Sequence, residues 1–211
     1  MRKIFFHFFL LIVISGCSHE IVNLSDAKNE VREYYESGKF DAEVNSIINS
    51  AIKKFNETDL PENAAVVFDV DETALSNYDY TKKLGFGYTW QSWDDWVKSA
   101  KSKAIPGVKK LYDFLISKNV KIIFLTGRTA DQCRATGINL RIEGFVKYDT
   151  LICRTEKEAH MKTKIYKNNA LKMLAKKNYR IIGCIGDQPA DVNPDICRLN
   201  ILVPNYLYKL D

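Results

Sequence analysis

The sequence predicts an α/β protein with a central parallel sheet, and two observations carry that prediction. Short apolar segments typical of buried strands alternate with amphipathic segments typical of helices through most of the chain. Strands separated by helices pair in parallel, and helices then cover both faces of the sheet. The length of 211 residues, 46% of them hydrophobic and 27% charged, suits one domain with a substantial core.

The elements are predicted in order from the spacing of apolar residues. Residues 40–55 repeat apolar side chains at helical spacing, and the run that begins the first strand is Val66–Phe68. The segment between them contains Pro61 and breaks the helix. Beyond the first strand, the predicted helices are 107–119, 130–141 and 166–178, and the predicted strands are 120–128, 148–154, 179–188 and 198–204.

The N-terminal segment has the layout of an export signal. Two basic residues precede an apolar stretch at 4–14, which is short for a bilayer span. The following letters, LIVISGC, resemble a bacterial lipobox, in which cleavage precedes a cysteine that is then lipidated. We expect a signal peptide at 1–16, lipidation at Cys17 and a tether at 17–25, and hence an exported bacterial lipoprotein, membrane-anchored and periplasmic or at the cell surface. A plain signal peptide, or a short anchor with an incidental cysteine, is the alternative.

The remaining cysteines predict no structural metal site. They form no CxxC pair and no Cys/His cluster at zinc spacing. In an oxidising compartment four cysteines allow three full disulfide pairings, and the sequence does not choose among them. Cys184 lies in an apolar run and fits a buried thiol equally well. The four residues are Cys133, Cys153, Cys184 and Cys197.

The charge balance favours a small anionic ligand. The formal net charge is +5 and the sequence pI is about 8.8, which is only mildly basic. A nucleic-acid binder would use the basic stretch 162–180, but too few aromatic residues are interleaved there. We therefore expect no nucleic-acid polymer as a partner.

Polar residues gather where three predicted strands end. Asp69 and Asp71 lie on the same side of an extended segment, where two like charges are costly without a counter-charge. Carboxyl ends of parallel strands meet at one edge of the sheet, where ligands of such folds bind. The gathered residues are Asp69 and Asp71 after the first strand, Thr126 and Arg128 at the end of the second, and Asp187 and Asp191 after a later one.

Four motifs carry a family resemblance. FDVDETALSN, FLTGR, a lysine-bearing helix start and IGDQPAD resemble the motifs of the haloacid dehalogenase (HAD) superfamily of phosphohydrolases. SWDDWVKSAKSKAIPGV and LVPNYLY are similar to its acid phosphatase group, which includes bacterial class C lipoprotein phosphatases and plant vegetative storage proteins. The resemblance covers roughly residues 25–208. It implies a HAD-like three-layer sandwich at 26–211 with a small helical cap inserted at about 78–104.

The resemblance also implies an activity, a Mg²⁺-dependent acid phosphatase that hydrolyses small phosphomonoesters through an aspartyl-phosphate. Asp69 is then the nucleophile, and Asp71 protonates the leaving oxygen and later activates water. The implied Mg²⁺ ligands are Asp69, Asp187 and the backbone carbonyl of Asp71. The ion would offset the negative charge of the clustered carboxylates. Asp191 then holds a water ligand or orients the motif lysine.

The phosphoryl group is expected to bind Thr126, Gly127 and a lysine. Lys167 lies about twenty residues before Asp187, the spacing that the resemblance favours, and Lys164 is the alternative. The fourth motif reads Gly-Asp-Gln-Pro, closer to the plant branch than to bacterial forms, which weakens transfer of metal-site detail beyond Asp187.

Aromatic residues between 78 and 96 predict a wall beside the site. Trp90 and, from the C-terminal segment, Tyr206 are the expected contacts for a planar leaving group, such as the base of a nucleoside 5′-monophosphate or the ring of an aryl phosphate. Trp93 and Trp96, three residues apart, fit packing of the cap at least as well.

Two other functions fit the same motifs. A noncatalytic storage or binding protein on the same fold is disfavoured because both aspartates of the first motif are present. A phosphotransferase is compatible with Asp71, since transfer to an alcohol needs the same proton movements. The physiological substrate and the oligomeric state stay open at this level.

Overall fold

The computed structural model of the protein describes residues 21–210. The predicted signal peptide, the lipidation site Cys17 and the first part of the tether lie outside this range. Helix α1 (Leu24–Glu36) begins inside the segment assigned to the tether, and Asn23 caps it by accepting a hydrogen bond from the Ser25 N–H group. This helix was not predicted from the sequence.

The remaining elements follow the predicted alternation. The helices after α1 are α2 (Lys39–Asn56), α3 (Tyr78–Lys83), α4 (Trp90–Ser99), α5 (Pro106–Ser117), α6 (Cys133–Ile142) and α7 (Thr163–Lys176). The strands are β1 (Ala64–Phe68), β2 (Leu75–Ser76), β3 (Lys103–Ala104), β4 (Lys121–Thr129), β5 (Thr150–Arg154), β6 (Arg180–Gly186) and β7 (Leu199–Leu202). Single 3₁₀ turns lie at Ala130–Gln132, Glu156–Glu158 and Pro189–Asp191.

The central sheet has five parallel strands in the order β5-β4-β1-β6-β7, which confirms the predicted fold class. Strand β1 is the central strand, and all five of its residues are buried. Its side chains alternate between the two faces. Val66 and Phe68 pack with α2 and α5, whereas Ala65 and Val67 pack with α7, so helices cover the sheet on both sides.

The interval 78–104, expected as a cap, forms two short helices and the second strand of a small antiparallel pair. Helix α4 begins after Thr89, whose hydroxyl accepts a hydrogen bond from the Ser92 N–H group. Strands β2 and β3 pair beside the carboxyl end of β1 and so join the interval to the central domain. None of the helices within residues 21–210 is long and apolar enough to cross a membrane.

Two disulfides settle the cysteine pairing that the sequence left open. Cys133 at the start of α6 bonds to Cys153 in β5, and Cys184 in β6 bonds to Cys197 ahead of β7. The alternative of a buried thiol at Cys184 is therefore wrong. The first bond joins α6 to β5, and the second joins β6 to the segment that precedes β7. Structural disulfides suit an oxidising compartment.

Candidate active site

The carboxyl edge of the sheet brings three aspartates together. Asp69 follows β1, Asp187 follows β6, and Asp191 closes the next 3₁₀ turn. One carboxylate oxygen from each lies within 4.8 Å of the others. A Cβ atom on Gly186 would stand 2.0 Å from the Cβ of Asp191, so only glycine at the end of β6 lets Asp191 approach.

Lys167 is the cation of this cluster. Its ammonium lies 2.5 Å from Asp69 and also contacts Asp191, and the residue is only 4% exposed. Burial alone lowers the pKa of Lys167, but the two carboxylates outweigh burial and raise it. Lys164, the alternative, is exposed, whereas Lys167 is buried among the aspartates. Lys167 is the fifth residue of α7 and not part of the helix start, so its place near the site rests on its side-chain contacts.

The cluster has the composition of a divalent-cation site. Three carboxylates face one ammonium, so the ionised groups carry an excess negative charge that one divalent cation would balance. Burial raises the pKa of Asp69 well above its ordinary value; the Lys167 ammonium opposes the shift, and neighbouring carboxylates add to it. An added cation would relieve that cost, and a donor set made only of oxygen suits Mg²⁺ better than a softer metal.

Asp187 is held by the C-terminal segment. The side-chain amides of Gln188 and Asn205 donate to the Oδ2 atom of Asp187, at 2.5 and 2.6 Å respectively. The Thr73 hydroxyl donates to the Oδ1 atom at the longer distance of 3.4 Å. Burial and repulsion from Asp191 raise the pKa of Asp187 to about 6, against the lowering effect of the two amides. The two amides therefore fix one carboxylate oxygen, whereas Oδ1 accepts only the longer contact from Thr73 within residues 21–210.

Asp71 has a different partner, although it lies only two residues from Asp69. The Arg128 guanidinium donates to both carboxylate oxygens of Asp71, with its Nη2 atom 2.6 Å from Oδ1. The Arg128 side chain is fully buried, whereas the Asp71 side chain keeps 17% of its surface exposed. Arg128 also lies 5.6 Å from the ring centre of Trp93. Asp71 thus keeps an open side next to a fixed positive charge.

Asn77 joins this pair to the cap. Its Nδ2 atom donates to Asp71 at 2.9 Å, and its Oδ1 atom accepts from the Trp96 indole at 2.9 Å and from the Ser102 hydroxyl at 2.7 Å. Trp96 therefore has a bridging role and does not line the cavity. Asn77 also donates to Glu72, a buried carboxyl whose pKa burial and Asp71 raise to about 8. The cap position is thus coupled to the orientation of Asp71.

A cavity of about 510 Å³ opens over these residues. Asp69, Asp71, Lys167, Asp187 and Asp191 reach it from below, while Gly127, Arg154 and Thr163 border one side. Cap aromatics and the C-terminal segment form the remaining wall, namely Tyr80, Phe86, Tyr88, Trp90, Trp93, Leu207, Tyr208 and Leu210. Most of the residues predicted for the site therefore line this one cavity.

Two predicted residues lie elsewhere. Tyr206 does not line the cavity, because its ring packs edge-on against Tyr34 of α1; Tyr208, two residues later, lines it instead. The prediction that Tyr206 lines the site was therefore wrong by two residues. Thr126 is completely buried below the cavity, and its hydroxyl accepts from the Arg128 N–H group at 3.1 Å, so its direct contribution there is to hold the turn.

Four further residues were not assigned a role from the sequence. Arg128 was noticed at a strand end, but nothing indicated that it pairs with Asp71. Asn77 ends the first motif and Asn205 lies near the C-terminus, but neither position indicated its hydrogen-bond partners. Arg154, the last residue of β5, followed an apolar run, and that position was its only available signal.

The chain is similar to known proteins over most of its length. A model of the family described as HAD superfamily, subfamily IIIB (Acid phosphatase), matches residues 18–211. A stem 31 kDa glycoprotein of Glycine max is 32% identical over 170 residues, covering 78% of this chain and 66% of that protein. Vegetative storage protein 1 of Arabidopsis thaliana is 31% identical over 147 residues, covering 67% of this chain and 54% of that protein. The chain thus spans two thirds or less of the length of these relatives.

A solved structure supports the architecture. The class C acid phosphatase from Bacillus anthracis with tungstate bound superposes with a TM-score of 0.71 at 23% identity, covering 89% of this chain and 87% of that one. The likeness confirms the expected HAD-like sandwich. Since the family model spans all of the described residues, the chain belongs to the HAD superfamily, subfamily IIIB, the acid phosphatases.

Proposed function

We propose that this protein is a Mg²⁺-dependent acid phosphatase that hydrolyses small phosphomonoesters through an aspartyl-phosphate. The observation that supports this proposal is the presence of two groups of charged side chains at one cavity. The first group is Asp69, Asp187 and Asp191 with Lys167. The second is the pair of Asp71 and Arg128. A phosphate monoester needs an in-line nucleophile, charge neutralisation and a proton for the leaving oxygen, and these groups supply each requirement.

Asp69 is the proposed nucleophile. Its carboxylate lies at the floor of the cavity, where Lys167 holds Oδ1 at 2.5 Å. Attack by the Asp69 oxygen on phosphorus breaks the bond to the leaving alkoxide and forms the aspartyl-phosphate, and water then cleaves that bond to release inorganic phosphate. Lys167 and the backbone around Gly127 neutralise and position the phosphoryl oxygens.

Asp71 is the proposed general acid and base. Two donors, Arg128 and Asn77, fix its carboxyl group, and its remaining exposed surface faces the cavity where the leaving oxygen would lie. It gives its proton to the departing oxygen and recovers one from the hydrolytic water. The guanidinium sets the direction of the carboxyl group, since a bidentate Arg–carboxylate pair is geometrically specific.

Asp69 and Asp187 are the proposed side-chain ligands of Mg²⁺, with the backbone carbonyl of Asp71 as a third oxygen. When bound, the ion would neutralise phosphoryl charge as a Lewis acid. Asp191 fits the role of orienting Lys167, because it contacts the ammonium with Oδ1 and accepts from the Gln188 N–H group with Oδ2 at 2.8 Å.

The proposed substrates carry a planar group. Trp90 is 55% exposed and lines the cavity together with Tyr88 and Tyr208, which supports stacking of a nucleobase or an aryl ring. Nucleoside 5′-monophosphates and aryl phosphates are therefore favoured over sugar phosphates. The tungstate-bound relative supports an oxyanion as the reacting group, since tungstate is, like phosphate, an oxyanion.

We also propose export and lipidation at Cys17. The lipobox-like end of the apolar stretch and two disulfides in the domain support an oxidising compartment. Multiple acyl chains would anchor the protein, since one chain binds membranes only marginally. Mass spectrometry of the mature N-terminus tests this: an acylated Cys17 is expected, and an unmodified N-terminus at another residue would contradict it.

One assay tests the activity. Nucleotides, sugar phosphates and aryl phosphates are offered to the wild-type protein and to Asp69→Asn, with Mg²⁺ and with EDTA. We expect turnover of the wild type with Mg²⁺ alone. A folded wild type with no turnover of any substrate would favour the storage or binding alternative. The similarity to a vegetative storage protein is the observation that supports this alternative. Transfer of the phosphoryl group to added alcohols in preference to water would favour a phosphotransferase.

A further inference from the structure

Arg154 is a cation that borders the cavity and that the proposed mechanism does not use. It ends β5 and stands beside Thr129 of β4 in the parallel register. Its guanidinium carbon lies 4.8 Å from the ring centre of Tyr166, and its Nη2 atom donates to the Thr163 hydroxyl at 3.3 Å. An aromatic face and one neutral hydroxyl therefore hold this charge in place.

The guanidinium is incompletely satisfied. Its Nε atom is buried and has no hydrogen-bond partner among residues 21–210, the one such side-chain atom there. Arg154 also forms no ion pair within the described part of the chain, whereas Lys167 and Arg128 each contact carboxylates. The acidic neighbour in sequence, Glu158, uses its Oε2 atom to accept from Thr155. A partly buried cation without a counter-charge is costly unless an anion completes it.

Arg154 lies away from the reacting atoms. Strand β5 is two strands from β1 in the sheet, so Arg154 starts roughly 9–10 Å to the side of Asp69. Its partner Thr163 precedes Lys167 by four residues on α7, which places the two side chains on one face about 5–6 Å apart. Arg154, Thr163 and Lys167 all line the same cavity, so a small substrate held at Lys167 can also reach the guanidinium.

We propose that Arg154, oriented by Thr163 and Tyr166, forms a subsite for a second anionic group on the substrate, either a phosphate or a carboxylate. A guanidinium binds both groups through paired N–H donors. The proposal rests on the proposed phosphatase function and names a substrate class within it: phosphomonoesters that carry one further anion. The chemistry at Asp69 is unchanged, and Arg154 acts on specificity.

Matched substrate pairs test this subsite. Adenosine 3′,5′-bisphosphate is compared with adenosine 5′-monophosphate, with release of the 5′-phosphate measured, and 2-phosphoglycerate is compared with glycerol 2-phosphate. In the wild type we expect the additional anion to raise kcat/KM by about tenfold, the size of one good charge-assisted contact. The first pair reports on a second phosphate and the second pair on a carboxylate, and a preference in either pair supports the proposal.

Arg154→Met keeps most of the length and removes the charge, so the preference is expected to fall to near unity. Thr163→Val, which removes only the orienting hydroxyl, should reduce the preference less and serves if Arg154→Met does not fold. Arg180→Met is the matched control, because Arg180 is exposed and lies outside the cavity. Equal losses on both members of each pair, or an unchanged preference, would overturn the proposal.

Direct binding separates this idea from the phosphatase function. In Asp69→Asn loaded with Mg²⁺, titration calorimetry should give about tenfold tighter binding of the bisphosphate than of the monophosphate, a difference that Arg154→Met removes. This result is expected whether or not the wild type turns the compounds over. Equal affinities for both ligands in the Asp69→Asn background would reject the subsite and leave the phosphatase proposal standing.

Discussion

Asp69 and Asp71 are the same residue type on the same strand end, yet the structure gives them opposite environments. Asp69 is 6% exposed and shares Lys167 with a second carboxylate, in a cluster with excess negative charge. Asp71 has its own guanidinium, Arg128, and a link through Asn77 to the cap. We therefore expect a metal ion beside Asp69, and exchange of a proton between Asp71 and the cavity.

The difference shows how one sheet edge can separate two chemical roles. A nucleophile must stay ionised and close to the cations that hold the phosphoryl group. A general acid must present a proton to the leaving group in a fixed direction. Arg128 on β4 and Lys167 on α7, and not the two aspartates themselves, create this separation.

The largest effect is expected for Asp69→Asn. The amide preserves the size of the side chain but removes the nucleophile, so kcat should fall by at least about 10³-fold for every substrate. Rates with an aryl phosphate and an alkyl phosphate measure the loss, and circular dichroism checks the fold. Near-wild-type rates with both substrates would mean that Asp69 is not the nucleophile.

Asp71→Asn should separate leaving groups. General acid catalysis contributes roughly 10²–10⁴-fold when the leaving oxygen needs a proton, and little when it leaves readily as an anion. Formation of the aspartyl-phosphate from an alkyl phosphate should therefore slow by that factor, while formation from 4-nitrophenyl phosphate slows much less. Single-turnover kinetics measure both steps. The same loss for both leaving groups would assign Asp71 to binding or folding.

Asn205→Ala tests the metal side of the comparison. Loss of the 2.6 Å hydrogen bond to Asp187 frees one carboxylate oxygen, and outer residues of this kind typically affect metal affinity by about 10–100-fold. The Mg²⁺ concentration for half-maximal activity should rise accordingly, with kcat recovered at saturating Mg²⁺.

Asn200→Ala is its control, because Asn200 donates to the Cys197 carbonyl and does not touch Asp187. Calorimetric Mg²⁺ titration gives an independent readout. An unchanged metal affinity in Asn205→Ala would show that the C-terminal segment does not position Asp187.

The smallest effect concerns the aromatic wall. Trp90→Ala should lower the ratio of kcat/KM for a nucleoside 5′-monophosphate to that for ribose 5-phosphate by about tenfold, since stacking on one base is worth roughly 1–3 kcal/mol. Tyr206→Ala removes an aromatic ring outside the cavity and should leave the ratio unchanged. Equal ratios in all three proteins would reduce Trp90 to a packing residue.

The sequence predicted the parts of the site that depend on strand ends. Asp69 and Asp187 were placed together because the parallel sheet brings the ends of β1 and β6 to one edge, whereas Lys167 on α7 was chosen from its spacing before Asp187. The order of buried strands and helices was predicted for the same reason, since the apolar periodicity is strong. Boundaries differ by a few residues, as with the helix predicted at 166–178, which begins at Thr163.

What the sequence did not predict depends on side-chain directions and on distant segments. The pairing of Arg128 with Asp71 spans 57 positions, and no local pattern encodes it. Asn205 reaches Asp187 across 18 positions, because the C-terminal segment lies along the cavity. Tyr206 and Tyr208 are two residues apart, and only the path of an irregular segment decides which one lines the site.

Trapping the phosphorylated enzyme tests the division between Asp69 and Asp71 most directly. In Asp71→Asn, 4-nitrophenyl phosphate should still react at Asp69, whereas hydrolysis of the intermediate loses its base. Stopped-flow absorbance should then show a burst of about one equivalent of nitrophenol per active site, and mass spectrometry after an acid quench should find the phosphoryl group on Asp69. Linear release with no burst and no phosphoryl group on Asp69, or a phosphoryl group on another residue, would contradict the account.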